Sequence, residues 1–244
     1  MAILNQQLRT LVTGVASGIG RSAANVLRDR GDLVFGVDYQ ADDGWLQADL
    51  SVPAERERVV QSALKELGAI DVLINVAGIY RATPFGESTV EDWRSVWAVN
   101  LEAPIDLMAK VFDSMKAQGF GRVVNVTSVH AKFSRLDALA YDVGKAGLEA
   151  ATRSFALTGA DFGILANSLA PGFVSTPMSL DENGIDEADT DLFKAQYVDS
   201  KRLPLGRSSR PEEIAEAISF LSGRANTYIT GQTITIDGGL TATF

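Results

Sequence analysis

Two Tyr-x-x-x-Lys pairs are the part of this sequence whose residue types and spacing most directly suggest chemistry. They are Tyr141 with Lys145, and Tyr197 with Lys201. Residues four apart lie on one face of an α-helix, so each pair would place a phenol beside an ammonium group. A neighbouring cation lowers the pKa of a phenol from its ordinary value of about 10, which lets the phenol exchange a proton with an alcohol or ketone. Because the pattern occurs twice, it does not by itself identify a reactive pair.

The surroundings favour the first pair. Tyr141 opens a long helical pattern, and Ser128 stands 13 residues before it, directly after a strand-like run. A hydroxyl at that place can hold a carbonyl oxygen while Tyr141 protonates it. Gly184 stands at the same distance before Tyr197, in a region without a strand pattern. We therefore interpret Tyr197 and Lys201 as surface residues.

A glycine turn, Thr13–Gly20 (TGVASGIG), indicates a nucleotide-binding loop. Glycine lets a pyrophosphate approach the backbone, and the following helix offers unpaired N–H groups. A plain strand–helix turn is the alternative, because glycine turns are common. Asp38 follows at about the 20-residue offset of a ribose-binding acid. Its charge would repel a 2′-phosphate, and neither Ser17 nor Tyr39 is a cation, so the sequence predicts NAD rather than NADP.

Short apolar runs alternate with longer amphipathic stretches, which indicates strands that alternate with helices. The predicted strands are Thr10–Thr13, Asp32–Asp38, Trp45–Leu50, Val72–Asn75, Arg122–Thr127, Ile164–Leu169 and Gln232–Ile236. The predicted helices are Ile19–Arg30, Pro53–Leu67, Val90–Gln118, Ala138–Phe162 and Pro211–Ser222. This alternation predicts one α/β domain over residues 1–244, with a doubly wound, Rossmann-type parallel sheet and helices on both faces.

The segment 176–203 lacks a strand pattern, and a segment of that length in a compact domain is usually a binding loop or lid. It contains Asp181–Asp191 (DENGIDEADTD), with six acids and no base. We expect a mobile lid that charge repulsion holds open and that closes over ligand through Leu192, Phe193 and Tyr197. A rigid surface helix is the alternative.

Composition excludes several classes of function. The 22 basic and 31 acidic residues give a net charge of −9, which disfavours binding to nucleic acid or anionic membranes. Cysteine is absent and His130 is the one histidine, so a metal site is not expected. Residues 1–10 show neither a signal-peptide pattern nor a membrane span, so we expect a cytoplasmic protein.

These ordered motifs resemble the short-chain dehydrogenase/reductase family in its single-domain form, from Leu8 to Gly239. Asn75–Gly78 (NVAG) resembles the family's Asn-Asn-Ala-Gly motif, with Val76 in place of the second Asn. The resemblance implies an NAD-dependent enzyme that transfers hydride between the nicotinamide and a substrate carbon. The cofactor-binding residues that it implies are Gly14, Ser17, Gly18, Ile19, Gly20, Asp38, Asp49, Leu50, Asn75, Ala77, Gly78, Tyr141, Lys145, Pro171, Gly172 and Thr176.

The same resemblance implies a catalytic tetrad of Asn100, Ser128, Tyr141 and Lys145. In this family the Asn kinks a helix and anchors a proton-relay water, and the Lys also holds the nicotinamide ribose. Asp142 departs from the small residues usual in the Tyr–Lys spacer. It should point away from Tyr141, so we expect no loss of activity from it.

The substrate is less well determined. His130 is a candidate substrate-binding residue together with Ser128 and Tyr141, and a packed or solvent-facing loop histidine is the alternative. The Ser-Val-His triplet resembles some glucose dehydrogenases of the family, and the acidic run disfavours anionic substrates, which favours a neutral sugar or polyol. A cyclic alcohol or dihydrodiol dehydrogenase is the alternative. A regulator that has lost catalysis should lack a residue of the tetrad, and all four are present.

The resemblance also implies a homotetramer that pairs through the two long helical stretches and the last strand. Apolar positions expected to supply contact area are Leu107, Val111, Leu148, Phe155 and Ile234.

Overall fold

The computed structural model describes residues 7–40 and 44–242. The ends of the predicted domain and most of the segment assessed for a signal peptide therefore lie outside the described residues. Seven strands form one sheet in the order β3-β2-β1-β4-β5-β6-β7, with every pair parallel. The strands are β1 Arg9–Thr13, β2 Leu33–Asp38, β3 Leu46–Gln47, β4 Val72–Asn75, β5 Gly121–Val126, β6 Ile164–Pro171 and β7 Thr233–Ile236. The predicted doubly wound parallel sheet is confirmed.

Helices cover both faces of this sheet. They are α1 Gly18–Asp29, α2 Pro53–Leu67, α3 Val90–Trp97, α4 Ala103–Gln118, α5 Leu139–Gly159, α6 Asp191–Phe193 and α7 Pro211–Ser222. Side chains of α2, α4 and α5 pack on one face, and those of α1 and α7 on the other. Adjacent residues of β1 serve the two layers, with Leu11 in the first and Val12 in the second, as the alternation of a strand requires.

The predicted helical stretch from 90 to 118 is interrupted. A π-helical turn, Ala98–Glu102, separates α3 from α4. Thr89 and Asp92 form a capping box that starts α3, and Pro104 lies in the first turn of α4, where a missing N–H costs least. The turn is typical of a functional position, and Asn100 lies on it.

The prediction of interface positions needs a correction. Leu107, Val111 and Leu148 are fully or almost fully buried in the core of their own subunit. They therefore have no area left for a partner. On the same helices Ile105 is 40% exposed and Leu157 82% exposed.

The order of the strands determines where a ligand can bind. The chain builds β1 to β3 on one side of the sheet and β4 to β7 on the other, so the switch point lies between β1 and β4. Parallel doubly wound sheets bind ligands at the carboxyl ends of the strands at such a point. The predicted glycine turn follows β1 and the NVAG loop follows β4, so both lie there.

Over the two described ranges, no helix is long and apolar enough to cross a membrane. The same residues bring together no group of three or more acidic or imidazole side chains that could hold a metal ion.

Candidate active site

The glycine turn forms a cradle for an anion. Gly14 and Gly18 have φ values of 79° and 51°, in the left-handed region that favours glycine. A Cβ on Gly20 would lie 1.9 Å from the Gly14 carbonyl oxygen, so a side chain there cannot be accommodated. Helix α1 starts at Gly18, its N-cap Ser17 makes no side-chain capping bond, and its first turn holds no acid. The first N–H groups of α1 are therefore available to a phosphate.

Asp38 is held against this turn. Its Oδ2 accepts a hydrogen bond from the backbone N–H of Ala16 at 3.0 Å, and its Oδ1 accepts one from Gln40 at 2.9 Å. The carboxylate is half-buried at the end of β2. It is thus fixed beside the predicted pyrophosphate cradle, where a ribose would follow.

The NVAG loop is bonded to the glycine turn. Thr13 Oγ1 accepts hydrogen bonds from the N–H groups of Val76 and Ala77 at 3.0 and 3.1 Å. Asn75 differs from the other predicted cofactor residues, because its buried amide donates to Asn125 Oδ1 at 2.8 Å. Asn75 therefore supports the loop from within the sheet.

The loop that carries two of the predicted cofactor-binding residues, Asp49 and Leu50, is held by a buried arginine that sequence reasoning missed. Asp49 Oδ1 accepts from the Ser51 N–H at 2.9 Å. Arg56 donates to the carbonyl oxygens of Leu50 at 2.6 Å and Ala98 at 3.0 Å. Arg56 therefore connects this loop to the π-helical turn that carries Asn100.

The turn after β6 reaches the same cleft. A Cβ on Gly18 would lie 3.0 Å from Thr176 Cγ2, which places Thr176 beside the glycine turn. A Cβ on Gly172 would lie 2.8 Å from the Asp237 Cβ, so close packing requires glycine after Pro171. Pro171 ends β6 and is buried.

Asn100 and Lys145 converge at Gly78. The Asn100 amide both accepts from the Ile79 N–H and donates to the Ile79 carbonyl oxygen, each at 2.8 Å. A Cβ on Gly78 would lie 3.3 Å from Asn100 Oδ1 and 3.5 Å from Lys145 Nζ. Lys145 Nζ also donates to the Val126 carbonyl oxygen at 2.9 Å. The end of β5, the π-helical turn and α5 therefore meet at one place.

Burial controls the proton affinities of the Tyr141–Lys145 pair. Lys145 Nζ lies 5.5 Å from the centre of the Tyr141 ring. Burial raises the pKa of Tyr141 to about 12, although a hydrogen bond with Ser128 acts in the opposite direction. Burial also lowers the pKa of Lys145 to about 8. The predicted lowering of the Tyr141 pKa is therefore not found, because desolvation dominates and the Asp142 carboxylate also raises this pKa.

Two rings flank Tyr141. Tyr80 and His130 each contact it edge-to-face, with ring centroids 5.5 and 5.6 Å away. Burial and the Asp137 carboxylate raise the pKa of Tyr80 to about 12. Tyr80 follows the NVAG loop by two residues, but no sequence pattern indicated that it reaches Tyr141.

Asp142 has a role that the sequence did not predict. Its Oδ1 lies 2.8 Å from His130 Nδ1, and only 11% of its side chain is exposed. The His130 N–H donates to Ser128 Oγ at 3.1 Å. The histidine is therefore attached to the reactive cluster through both its backbone and its ring.

The second Tyr–Lys pair has a different structure. Tyr197 lies on a π-helical turn, Lys194–Asp199, and its ring packs against Phe173 and Phe193 with centroids 4.9 and 5.0 Å away. Lys201 lies beyond that turn with a φ of 60°. The two side chains do not share one helical face.

Much of the acidic run in segment 176–203 forms local turns. Asp181 Oδ1 accepts from the N–H groups of Asn183 and Ile185, at 2.8 and 2.9 Å. Asp186 caps a short 3-10 helix at Ala188 and accepts from Ser179 Oγ at 3.0 Å.

The apolar residues of segment 176–203 divide between two environments. Phe193 is buried to 5% exposure, whereas Leu192 is 74% exposed. The apolar contact of this segment with the site therefore passes through Phe193 and Tyr197, and Leu192 does not contribute to it.

A cavity of about 240 Å³ borders Ser128. Its lining includes Lys132, Glu149 and Thr241, but neither Tyr141 nor Lys145. Of the four predicted catalytic residues, Ser128 lines this cavity.

Known proteins are similar to this chain over nearly its whole length. A family model described as Enoyl-(Acyl carrier protein) reductase matches residues 14–241. The acetoacetyl-CoA reductase of Allochromatium vinosum is 32% identical, over 94% of this chain and 97% of the relative. The cis-4-hydroxycyclohexanecarboxylate dehydrogenase of Sinomonas cyclohexanicum is 35% identical, over 95% and 96%. Among solved structures, the aldohexose dehydrogenase of Thermoplasma acidophilum superposes with a TM-score of 0.87 at 26% identity, over 98% of this chain and 96% of the other.

Proposed function

Since the chain belongs to the short-chain dehydrogenase/reductase family and is an oxidoreductase of that family, we propose that it uses NAD to interconvert a secondary alcohol and a ketone, or a sugar hemiacetal and a lactone. The observation that carries this proposal is the convergence of Asn100 and Lys145 on Gly78, beside the Ser128–Tyr141 pair. A regulator without catalysis would have no need for that arrangement.

The cleft fits a nicotinamide dinucleotide. The glycine turn would hold the pyrophosphate in the space that a Cβ on Gly20 would fill. The first N–H groups of α1 would donate to it. Asp38 would accept hydrogen bonds from the adenosine ribose, and Lys145 would hold the nicotinamide ribose. When bound, the cofactor supplies or accepts the hydride, and the protein provides position and charge.

Tyr141 is the proposed general acid and base. Burial keeps its phenol protonated at neutral pH, which suits donation to a carbonyl oxygen that Ser128 orients. In the reverse direction the phenolate accepts the alcohol proton. Lys145, with a pKa of about 8, still carries most of its charge at neutral pH and stabilises that phenolate.

Asp38 supports NAD over NADP. A carboxylate fixed by two backbone N–H groups cannot turn away from a 2′-phosphate, and the exposed Tyr39 offers no compensating cation. We expect NAD to exceed NADP in kcat/KM by more than about tenfold, since one charge repulsion of about 1.4 kcal/mol gives that ratio. Replacing Asp38→Ala together with Tyr39→Arg should narrow or invert the ratio. A wild-type preference for NADP would contradict the assignment.

A neutral sugar or polyol is the proposed substrate class. The superposition with an aldohexose dehydrogenase and the acids of segment 176–203 support it. A cyclic alcohol is the second candidate, supported by the 35% identical relative that acts on a hydroxycyclohexane acid. NAD reduction measured against aldohexoses, polyols and cyclic alcohols separates the two. Turnover of acyl thioesters alone would contradict both.

We also propose a homotetramer. Leu157 and the half-exposed Phe220 of α7 give apolar area on helices that face outward. Closed two-fold assemblies bury such residues. Light scattering at micromolar concentration should return about four times the 26.1 kDa chain mass, and a monomer mass would contradict the proposal.

A further inference from the structure

His130 and Asp142 form a buried pair beside the reactive hydroxyls. His130 lies on the 3-10 turn Val129–Ala131, and Asp142 lies in the first turn of α5. The Asp142 oxygen lies 2.8 Å from His130 Nδ1, and the Asp142 residue is 8% exposed. A buried carboxylate without this partner would pay a large desolvation penalty, so the pairing fixes both side chains.

The pairing also assigns the two ring nitrogens of His130. An ionised carboxylate only accepts hydrogen bonds. Nδ1 therefore carries a proton and donates the hydrogen bond to Asp142. In the neutral imidazole the other nitrogen, Nε2, is then an acceptor. Nε2 makes no hydrogen bond to any residue in the part of the chain that the structure describes, and 23% of the side chain is exposed. An oriented acceptor is therefore available to a ligand.

The His130 ring lies beside the two residues that would hold the reacting oxygen. The His130 ring contacts Tyr141 edge-to-face, and the His130 N–H is bonded to Ser128 Oγ. Tyr141 and Ser128 together define the position of the substrate oxygen that gains or loses a proton. A second hydroxyl on the next carbon of a substrate lies about one hydrogen-bond length, about 2.8 Å, from that oxygen.

We propose that His130 Nε2 accepts a hydrogen bond from a second substrate hydroxyl on the carbon next to the reacting one, and that Asp142 is the positioning residue that holds the required tautomer. The preferred substrate is thus a vicinal diol or the matching α-hydroxyketone. This inference rests on the proposed function and narrows its substrate class.

The surrounding charges agree with a neutral hydroxyl at this place. Glu187 of segment 176–203 is half-buried, which raises its pKa, while the charges of Arg135 and His130 act in the opposite direction. Glu187 therefore lies within electrostatic range of His130. An anionic group of a substrate would meet both Glu187 and Asp142, whereas a hydroxyl meets only an acceptor that it can satisfy.

The test compares two substrates in one set of variants. NAD reduction is measured with cis-cyclohexane-1,2-diol and with cyclohexanol, which lacks only the second hydroxyl. For wild type we expect kcat/KM to be higher for the diol by about twofold to tenfold, the usual net effect of one neutral hydrogen bond. His130→Ala should remove that preference, mainly through KM, and leave cyclohexanol within about threefold.

Asp142→Asn tests the positioning role. Asn lacks the carboxylate charge that strengthens the hydrogen bond with Nδ1, so the His130 ring is held less firmly and the diol preference should fall part of the way towards that of His130→Ala. His130→Gln keeps an acceptor oxygen and should restore part of the preference. Lys65→Ala, at an exposed position in the last turn of α2, should leave the activity with both substrates unchanged. Activity with cyclohexanol reports folding in every variant.

Two outcomes would overturn the inference. Equal losses for both substrates would show a structural role for the pair, and an unchanged diol preference would show that Nε2 contacts no substrate hydroxyl. In either case NAD reduction by cyclohexanol would leave the proposed function standing. A wild type that oxidises neither alcohol would overturn the inference, and the assays with aldohexoses and polyols would then decide the proposed function separately.

Discussion

The regions around Tyr141 and Tyr197 carry the same Tyr-x-x-x-Lys spacing in two different structures. On α5 the helix continues through the spacer, so Lys145 lies one turn from Tyr141 and 5.5 Å from its ring. In segment 176–203 a π-helical turn ends at Asp199, and Lys201 has a φ of 60°. A four-residue spacing therefore brings the phenol and the ammonium group together only where the helix is continuous.

Packing explains why the two regions differ. Helix α5 lies on the sheet, with Leu148 and Ala156 in the core. The short helix α6 has one buried residue, Phe193, and Tyr197 joins Phe193 in an aromatic cluster with Phe173. Tyr197 attaches its segment to the turn after β6, and the cation recorded near its ring is the Arg202 guanidinium, 5.9 Å from the ring centre.

The largest expected difference between the regions is in activity. Tyr141→Phe should lower kcat by at least about 10²-fold, because a positioned acid or base contributes about 10² to 10⁴. Tyr197→Phe keeps the ring in its aromatic cluster and should leave kcat nearly unchanged. Steady-state NAD reduction of both variants checks this. The reverse ranking would show that the wrong pair has been assigned.

A smaller difference is expected in pH dependence. Burial raises the pKa of Tyr141 to about 12, so the phenolate fraction rises about tenfold per pH unit below that value. The kcat/KM for alcohol oxidation should therefore rise from pH 6 towards pH 8, and flatten above about pH 8 as Lys145 loses its charge. Ketone reduction should not rise over the same interval.

The pH profile also distinguishes the two tyrosines. Tyr197→Phe should keep the wild-type profile in both directions, whereas the residual activity of Tyr141→Phe should lose the rise. An oxidation rate that falls from pH 6 to pH 8 would contradict the assigned role of Tyr141, since it would require a group that must be protonated for oxidation.

The sequence predicts the fold and most of the cleft because their patterns are local. Alternating apolar runs predicted six of the strands closely, and only β3 is much shorter than the predicted Trp45–Leu50. That run ends early because Asp49 forms a turn with Ser51. The positions of the glycine turn and of Asp38 could be predicted because both depend only on the spacing along neighbouring strands and the helix between them.

The remaining features of the candidate site depend on contacts between residues that are distant in the sequence. His130 and Asp142 are 12 residues apart on two elements, and no periodic pattern predicts that they meet. The depth of burial that shifts the Tyr141 pKa is likewise a property of the packed fold. An apolar pattern also does not say whether a residue faces its own core or a partner, which is why the prediction was wrong for Leu107, Val111 and Leu148.

A further difference between the regions is expected in hydrogen exchange. We propose that segment 176–203 closes over bound NAD and substrate, whereas α5 is already packed on the sheet. Amide protection in the segment should rise by about tenfold or more on binding of NAD and a substrate analogue, while protection in α5 changes little. Unchanged protection, with bound analogue shown by calorimetry, would make the segment a static part of the scaffold.

The smallest expected effects are on the free energy of unfolding. They come from substitutions at Gly144, between Tyr141 and Lys145, and at Lys201 of the second pair. Gly144 lies inside α5, and a Cβ there would be 3.4 Å from Asn100 Cβ and 3.5 Å from Trp97 Cδ1, which is ordinary contact. Gly144→Ala should therefore raise the free energy of unfolding by about 0.5–1 kcal/mol, through a smaller loss of backbone entropy. The position of Lys201 favours glycine instead, because its left-handed backbone disfavours any Cβ.

Lys201→Gly should accordingly raise the free energy of unfolding by up to about 1 kcal/mol, and Lys201→Ala, which keeps the Cβ, should give no gain. Urea unfolding midpoints at equal protein concentration measure all three variants, with kcat retained in each because no reacting group is removed. If Lys201→Ala gained as much as Lys201→Gly, the charge of Lys201 and not its backbone would be the cause. A loss of stability in Gly144→Ala would show that α5, Asn100 and Trp97 are packed too tightly for one methyl group, which would sharpen the contrast between a rigid reactive helix and a loosely attached segment.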